Sequence, residues 1–417
     1  MFLSIETSKK QQRFNVPLFY FSFFAYNAFM AFISDGQKNA LLERFLRYVQ
    51  IWTTSDSSRA DSGFQPSTER QFDLARLLKE ELEQLGLSDV QITEKCYVYG
   101  RLQASDGANV SDSFCLLAHM DTVEECSGQN VKPVLTQKDG DTIILTDGST
   151  LLGADDKAGI AEIMQTLAFF KENPQIKHGE IEICFSPDEE TGHGMDNVPL
   201  NLIKSKQAYT VDGGNLGELE TECFNACKSE IKFTGISTHT GSARGKMVNA
   251  AVMAANFIAS LPRHEAPETT CGFEGFFAPM EISGTIEKAE VTVFLRDFST
   301  EGMENRKVLI EKLAQTTALI FGGKTEVKHT FQYANMKNGL ENSPQTVQKL
   351  VNAYKSAGIK PIFPPIRGGT DGSRLTEMGI PTPNIFTGGH DFHSRSEWAS
   401  LNEMSKALEV LINLCSI

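Results

Sequence analysis

The order of strand-like and helix-like segments constrains the fold of this chain more than any other feature. From residue 38 to residue 223, stretches with helical periodicity alternate with short apolar or β-branched runs, which are typical of buried strands. Strands that alternate with helices predict an α/β fold with a mixed, mostly parallel sheet. The helices are expected at 38–51, 71–85 and 158–170, and the strands at 90–92, 98–102, 114–118, 143–146 and 181–185.

This pattern changes after Phe224 and returns after residue 334. The segments between them, in the order strand, helix, strand, strand, helix, strand, are 228–234, 248–261, 280–286, 290–296, 304–320 and 325–333. That order is the one found in ferredoxin-like α+β units. Because a helix at 347–357 and a strand at 383–386 resume the α/β pattern, we expect the unit to be inserted into a larger domain.

The predicted division of the chain therefore has three parts. They are an N-terminal extension at 1–37, a main domain made of 38–223 and 335–417, and an inserted domain at 224–334. Two domains of this kind leave a cleft between them, where ligands commonly bind.

The N-terminal extension has the charge order of a signal peptide or an uncleaved anchor. Three basic residues precede an aromatic-rich stretch at 14–33. Polar residues and Pro17 interrupt that stretch, and no clear small-x-small cleavage site follows it. We therefore favour a translation start at Met30, or a loose appendage, over a membrane signal. For the folded domains we expect no membrane association.

Charge and cysteine content exclude several functions. The chain has 39 basic and 53 acidic residues, a net charge of −14, without a basic run. A phosphate backbone requires clustered positive charge, so no nucleic-acid partner is expected. Eight cysteines in 417 residues do not make a disulfide scaffold, and Cys223 and Cys227 have no second Cys/His pair to complete a structural zinc site. Reduced thiols favour a cytoplasmic location.

The candidate chemistry lies in five short segments rich in His, Asp and Glu. The first contains His119 and Asp121, which share one side of the chain as a strand ends. A carboxylate at this spacing can accept the second ring N–H of a ligating His, although a surface His beside an Asp gives the same pattern. The second contains Asp155 and Asp156 between glycines at a helix start. These acids could bridge two cations or only cap the helix.

The other three segments add carboxylates and two further histidines. In 188–190, three consecutive acids repel one another unless metal ions or full solvation compensate them. Asp212 precedes two glycines, and the segment 388–397 contains His390 and His393. Together the five segments offer at least two His and three carboxylates at strand ends, a ligand set that suits zinc. Structural zinc sites favour thiolates, so this set predicts catalytic metal.

These motifs resemble, in the same order, those of the co-catalytic zinc exopeptidase family, which includes carboxypeptidase G-like and succinyl-diaminopimelate desuccinylase-like enzymes. Within that family the chain is similar to the peptidase T-like tripeptide aminopeptidases. The resemblance runs from about Leu41 to the C-terminus. It also includes 235–241, 247–250, 296–298 and 367–372. The resemblance implies a zinc exopeptidase-like catalytic domain with an inserted lid or dimerisation domain.

The resemblance also implies two zinc ions per chain. Five residues would bind them: His119 and Asp212 one ion, Glu190 and His393 the other, and Asp155 both. Asp121 would orient His119, and Glu189 would act as the general base. The peptide bond after Asp155 would be cis.

Three more residues are implied to contact a substrate. His239 would stabilise the oxyanion, either when the domains close or across a homodimer formed through the inserted domain, unless it only caps a strand end. Arg296 and Arg367 would bind the C-terminal carboxylate of a peptide, unless they form structural ion pairs. Two positions depart from the family pattern without removing a ligand: Thr240 stands where relatives usually have Pro, and Asp391 where they often have an uncharged residue.

The expected function is removal of the N-terminal residue from short peptides, with tripeptides as the expected length, by a cytoplasmic enzyme. A dipeptidase or an N-acyl amino-acid amidohydrolase of the same family would use the same metal chemistry. A metal-binding protein without catalysis is a further alternative. The presence of Glu189 beside all five ligands argues against it, because such a protein has no need of a base.

Overall fold

The computed structural model describes residues 33–107 and 113–417. The hypotheses about Met30 and about the stretch before residue 33 lie outside these residues. Within the described ranges, no helix has both the length and the apolar character needed to cross a bilayer.

The α-helices of the described ranges are α1 Asp35–Val49, α2 Ser57–Asp61, α3 Gln71–Leu85, α4 Ala154–Glu172, α5 Ala250–Ser260, α6 Thr300–Phe321, α7 Lys337–Glu341, α8 Pro344–Ser356, α9 Asp371–Glu377 and α10 Leu401–Cys415.

The strands form three sheets. They are β1 Ser88–Ile92, β2 Val98–Leu102, β3 Phe114–His119, β4 Val134–Lys138, β5 Asp141–Leu145, β6 Ile181–Ser186, β7 Ala208–Gly213, β8 Leu219–Glu220, β9 Asn225–Thr234, β10 Phe276–Gly284, β11 Lys288–Asp297, β12 Lys324–Tyr333, β13 Asn384–Phe386, β14 Gly389–His390 and β15 Trp398–Ser400. Every strand and helix predicted from the sequence is present, with bounds that differ by a few residues.

The main sheet has seven strands in the order β1-β2-β6-β3-β7-β13-β8. Its central strands β6, β3, β7 and β13 are parallel, whereas β1, β2 and β8 pair antiparallel at the two edges. The sheet is therefore mixed, as predicted, with its parallel pairs at the centre. Parallel strands end at the same edge of a sheet, so the residues that follow β3, β6, β7 and β13 are brought together there.

A second, four-stranded sheet has the order β14-β15-β5-β4. The apolar pattern predicts only β5 of these strands. Strand β4 is exposed at all five positions, and β14 and β15 are two and three residues long, so none of them carries a readable hydrophobic pattern.

The inserted unit has the predicted order of elements, β9-α5-β10-β11-α6-β12. Its strands pair antiparallel in the order β10-β11-β9-β12, which confirms the ferredoxin-like topology. The buried apolar core of this unit lies within 227–314, whereas the larger core takes side chains from Leu41 through to Cys415. Because the two flanking parts of the chain share one core, we propose to keep the division at 223/224 and 334/335.

The two connections of the inserted unit lie side by side. The backbone N–H of Cys223, where the chain enters, donates to the side-chain oxygen of Asn335, where it leaves, at 3.2 Å. The backbone N–H of Asn335 donates in turn to the side chain of Asn225 at 2.9 Å. Entry and exit are thus fixed against each other.

Helix α4 positions part of the site because it is buried along almost its whole length and packs on β3 and β7. An apolar surface on every side is typical of a helix buried in a core. The helix approaches β7 closely at Gly159, where an added Cβ would lie 1.8 Å from the carbonyl oxygen of Val211. This contact joins the helix that begins at Ala154 to the strand that carries Asp212.

We expect Gly159→Ala to destabilise the protein by about 3 kcal/mol, because the methyl group overlaps a backbone atom and α4 must shift away from β7. Thermal unfolding measures the change. The matched control is Gly36→Ala in α1, where an added Cβ has Ser34 Oγ as its nearest neighbour at 3.8 Å. The control should leave the Tm unchanged or raise it slightly. Equal Tm values for Gly159→Ala and the wild type would contradict the close packing.

Candidate metal centre and active site

The carboxyl edge of the main sheet brings all five predicted ligands together. His119 ends β3, Glu190 lies in the turn after β6, and Asp212 lies near the end of β7. Asp155 comes from the start of α4, and His393 from the turn after β14, where it has a φ of 60°. We call these five residues the ligand cluster.

Asp155 lies at the centre of the ligand cluster. Its Oδ1 is 2.8 Å from Nε2 of His119, and its Oδ2 is 3.2 Å from Nε2 of His393. On one side, Asp212 Oδ1 is 3.5 Å from the same His119 nitrogen, and on the other, Glu190 Oε1 is 3.1 Å from the same His393 nitrogen. Each imidazole therefore faces Asp155 and one further carboxylate, which is the two-sided arrangement that the resemblance implies.

The donor set fits divalent metal ions. His119, Asp155 and Glu190 can place three donor atoms within 4.8 Å of one another, and so can His119, Asp156 and Asp212. Burial, followed by repulsion from Asp155, raises the pKa of Glu190 to about 8, and burial raises that of Asp212 to about 6. Carboxylates whose ionisation is opposed in this way are stabilised by added positive charge. Imidazole nitrogen with carboxylate oxygen is a donor set that zinc accepts.

Asp121 connects His119 to the turn Glu189–Thr191 after β6, which carries Glu189 and Glu190 and which we call the acidic turn. One of its carboxylate oxygens is 3.4 Å from Nδ1 of His119, and its backbone carbonyl oxygen is 3.1 Å from the same atom. The carboxylate also accepts the backbone N–H groups of Glu189 at 3.0 Å and Glu190 at 3.2 Å. This fully buried side chain lies where an orienting residue is needed, and its predicted role stays a prediction.

Glu397 was not a candidate from the sequence, yet it holds the loop before α4. Its carboxylate accepts the backbone N–H groups of Leu152 and Gly153 at 2.8 Å each and that of Asp155 at 3.2 Å. The peptide bond between Asp155 and Asp156 is cis, as the resemblance implies. Glu397 ends the fifth acidic segment, but no local pattern indicates that its partners lie more than 240 residues earlier in the chain.

Asp188, the residue directly before the acidic turn, also supports the site by accepting hydrogen bonds. It is fully buried and accepts hydrogen bonds from the backbone N–H of Ser67 and the side chain of Gln71, both at 2.7 Å. Burial raises its pKa above the usual range. Full solvation therefore does not explain this member of the three consecutive acids.

Two clefts meet at the ligand cluster, and arginines line only one of them. We call this one the basic cleft because Arg296, Arg367 and Arg374 line it; it has a volume of about 440 Å³, and its lining also includes Phe276, Phe294, Tyr333 and Asp371. The acidic cleft has a volume of about 320 Å³, and its lining includes Asp155, Asp212, Glu218, Glu220, Asn384 and His393. Glu189 and Glu190 line both clefts, so a molecule that fills the two passes directly over the acidic turn.

The two candidate arginines both reach the basic cleft, and neither pairs with an acidic side chain of the described residues. Arg296 donates to the side-chain oxygen of Gln332 at 2.9 Å. Arg367 donates to the backbone carbonyls of Gly272 at 2.9 Å and Glu274 at 2.8 Å, which belong to the inserted unit. Neither arginine therefore forms the structural ion pair that was the alternative. Arg367 nevertheless already uses N–H donors in its hydrogen bonds to the two backbone carbonyls.

His239 lies apart from the cluster. It is exposed on the inserted unit, and its Nδ1 accepts the backbone N–H of Gly241 at 3.1 Å, which caps the short turn that begins at Thr240. Neither cleft includes it in its lining. Its predicted contact with a substrate needs a movement of the inserted unit or a second subunit, and it stays a prediction.

Comparison with known proteins places this fold and cluster in a family. The chain matches the profile of peptidase family M20/M25/M40 over residues 115–416. The chain belongs to this peptidase family. It is 42% identical to peptidase T of Clostridium perfringens, with 90% of this chain and 98% of that protein covered.

Two solved structures agree with the match. The aminopeptidase PepT from Bacillus cereus has a TM-score of 0.74 at 25% identity, with 91% of this chain and 98% of that chain covered. A tripeptidase from Staphylococcus aureus has a TM-score of 0.76 at 23% identity, with 91% and 97% covered, and supports the fold alone. The predicted family and the α/β fold with an inserted unit are thus confirmed.

We expect Glu397→Ala to destabilise the metal-free protein by about 3 kcal/mol or more, because three backbone donors, two of them fully buried, lose their acceptor. Thermal unfolding in the presence of a chelator measures this loss without any contribution from bound metal. Zinc titration of the same variant should also show weaker binding, since Asp155 is no longer held.

Glu83→Ala is the matched control, because Glu83 forms an exposed pair with Lys79 in α3. Such pairs contribute less than about 1 kcal/mol, so this variant should keep both the Tm and the zinc affinity. A Glu397→Ala protein that behaves like the control would show that the loop before α4 holds its shape without Glu397.

Proposed function

We propose that this chain is a di-zinc aminopeptidase that removes the N-terminal residue from short peptides, with tripeptides as the preferred length. One observation carries the proposal: the ligand cluster lies where an acidic and a basic cleft meet. The similarity of the chain to peptidase T of Clostridium perfringens and to the aminopeptidase PepT of Bacillus cereus supports the same reaction.

The metal ions would be held as the resemblance implies. His119 and Asp212 would bind one ion, Glu190 and His393 the other, and Asp155 would lie between them. Bound zinc would lower the pKa of a coordinated water towards neutrality and polarise the scissile carbonyl. Zinc is proposed over harder ions because two of the five donors are imidazole nitrogens.

Glu189 is the proposed general base. Its carboxylate has no hydrogen-bond partner within the described residues, whereas that of the adjacent Glu190 lies 3.1 Å from His393. The backbone of Glu189 is fixed by Asp121, and burial raises the pKa of its side chain well above the usual range. A carboxylate free to reach both clefts can accept a proton from the attacking water and return it to the leaving amine.

The charged side chains that line the two clefts would determine the orientation in which a peptide substrate binds. A short peptide is positive at its N-terminus and negative at its C-terminus, so it would place its amino end in the acidic cleft and its carboxylate in the basic one. The bond over the acidic turn is then the first peptide bond. Arg296 is the stronger candidate to bind the carboxylate, because Arg367 already donates to the inserted unit.

His239 remains the proposed oxyanion donor. Because its Nδ1 accepts a hydrogen bond, the neutral ring carries its proton on Nε2, which can donate to a developing negative charge. The donor would reach the cluster by closure of the inserted unit or from the partner subunit of a homodimer. Eight unpaired cysteines support the proposed cytoplasmic location.

The central test is a set of peptides with and without a free amine. We expect the zinc-loaded enzyme to cleave trialanine and to release free alanine from its amino end, measured by mass spectrometry. N-acetyl-trialanine should react at least roughly 10-fold more slowly, because a charge-assisted contact is lost. Rapid cleavage of the acetylated peptide would instead favour an N-acyl amino-acid amidohydrolase, and chelation of the metal should stop either reaction.

The roles of the two adjacent glutamates are separable by metal content. Glu189→Ala should lower kcat by roughly 10³-fold or more, because the general base is removed, while about two zinc ions per chain remain. Glu190→Ala should lose zinc when measured by atomic emission after dialysis. The opposite pattern would mean that the base and the ligand are exchanged.

A further inference from the structure

The acidic cleft contains two glutamates on one side of the chain, Glu218 just before strand β8 and Glu220 at its end. Glu218 and Glu220 flank Leu219, whose side chain is buried in the core of the larger unit, and alternation along the chain turns both acids to the other side. Both line the acidic cleft beside Asp155 and Asp212. The metal chemistry described above uses neither glutamate.

The two glutamates differ in what their carboxylates already bind. Both oxygens of Glu218 are occupied by Asn215, which donates its backbone N–H at 2.9 Å and its side-chain amide at 2.8 Å. Glu220 accepts a hydrogen bond only from the side chain of Asn384, at 2.7 Å to Oε2. Within the described residues, Oε1 of Glu220 has no hydrogen-bond partner, and this oxygen is open to the cleft.

Asn384 fixes Glu220 relative to the ligand cluster. It stands opposite Glu220 in the pairing of β8 with β13, and its side-chain oxygen accepts the backbone N–H of Asp212 at 3.1 Å. One amide thus connects the open glutamate to the strand of a predicted zinc ligand. The carboxylate is held in place before any ligand arrives, which reduces the entropy lost on binding.

The acidic cleft contains no cation that could pair with Glu220. Apart from His393, which belongs to the ligand cluster, no basic side chain of the described residues lines it. A primary ammonium group carries three N–H donors and a full positive charge, so it matches an open carboxylate oxygen. The cleft adjoins the metal ligands directly, which is where the first residue of a cleaved peptide must lie.

We infer that Glu220 binds the α-ammonium group of the substrate and so determines the preference for peptides with a free N-terminus. This inference rests on the proposed aminopeptidase function and assigns the residue that recognises its substrate. Asn384 acts as a positioning residue, because it orients the carboxylate without touching the peptide.

The test compares trialanine with propionyl-dialanine, which differs only by the missing amino group. Glu220→Gln keeps the size of the side chain and an oxygen for Asn384 but removes the charge. It should lower kcat/KM for trialanine by roughly 10- to 100-fold, mainly through KM, and change kcat/KM for propionyl-dialanine by less than about threefold. The Tm and the zinc content of the variant should equal those of the wild type.

The matched control is Glu222→Gln, two residues further along the chain. Glu222 pairs with Lys337 at 3.1 Å and lines neither cleft, so this variant should keep both kcat/KM values. Lys-Ala-Ala is the third substrate. A Glu220→Gln loss confined to that peptide would mean that Glu220 binds a basic side chain and not the α-ammonium.

The remaining outcomes separate the two proposals. If the wild type prefers trialanine and Glu220→Gln keeps that preference, the assignment of Glu220 is wrong and the aminopeptidase function stands. Equal losses on both substrates would make Glu220 a structural residue and also overturn the assignment. If the wild type cleaves the two substrates equally well, or neither of them, the proposed function fails and the role of Glu220 fails with it.

Discussion

Mutual repulsion among the carboxylates at the edge of the main sheet is the constraint on which the rest of the structure depends. The parallel strands deliver Asp212 and the acidic turn to the same place, and α4 adds Asp155. An outer set of acids is stabilised by backbone and side-chain donors: Asp121, Asp188 and Glu397 all accept two or more such hydrogen bonds. The inner set lacks comparable donors, so it is the part of the site that added cations would stabilise.

This division explains why some site residues could be predicted from the sequence and others could not. The ligand cluster could be predicted from the sequence because each of its residues follows a strand or begins a helix. The motif around each of these residues spans only a few positions of the chain. The supporting acids act at long range: Asp188 binds residues 117 and 121 positions away, and Glu397 binds residues more than 240 positions away. Periodicity contains no information about such pairs. Glu220 was missed for the same reason, since its open oxygen is defined only by where Asn384 lies.

The fold shows a similar limit. The inserted ferredoxin-like unit was predictable because six segments with clear periodicity follow a known order. The second sheet was not, because β4 is exposed and β14 and β15 are too short to form a pattern. Arg367 illustrates the limit of resemblance for single residues. A motif could place it at the basic cleft, but only the structure shows that its guanidinium also contacts the inserted unit.

The adjacent entry and exit of the inserted unit bear on how such an enzyme could diversify. Because Cys223 and Asn335 are hydrogen-bonded neighbours, the chain leaves the main domain and re-enters it at two adjacent, fixed points. The structure of the main domain therefore depends on the positions of these two points and not on the length of the insertion between them. Loop-closure entropy depends on the ends that must meet and only weakly on the length between them. A different unit could therefore be grafted at the same two points without disturbing the ligand cluster, and the hydrolytic machinery and the inserted unit could evolve as exchangeable parts.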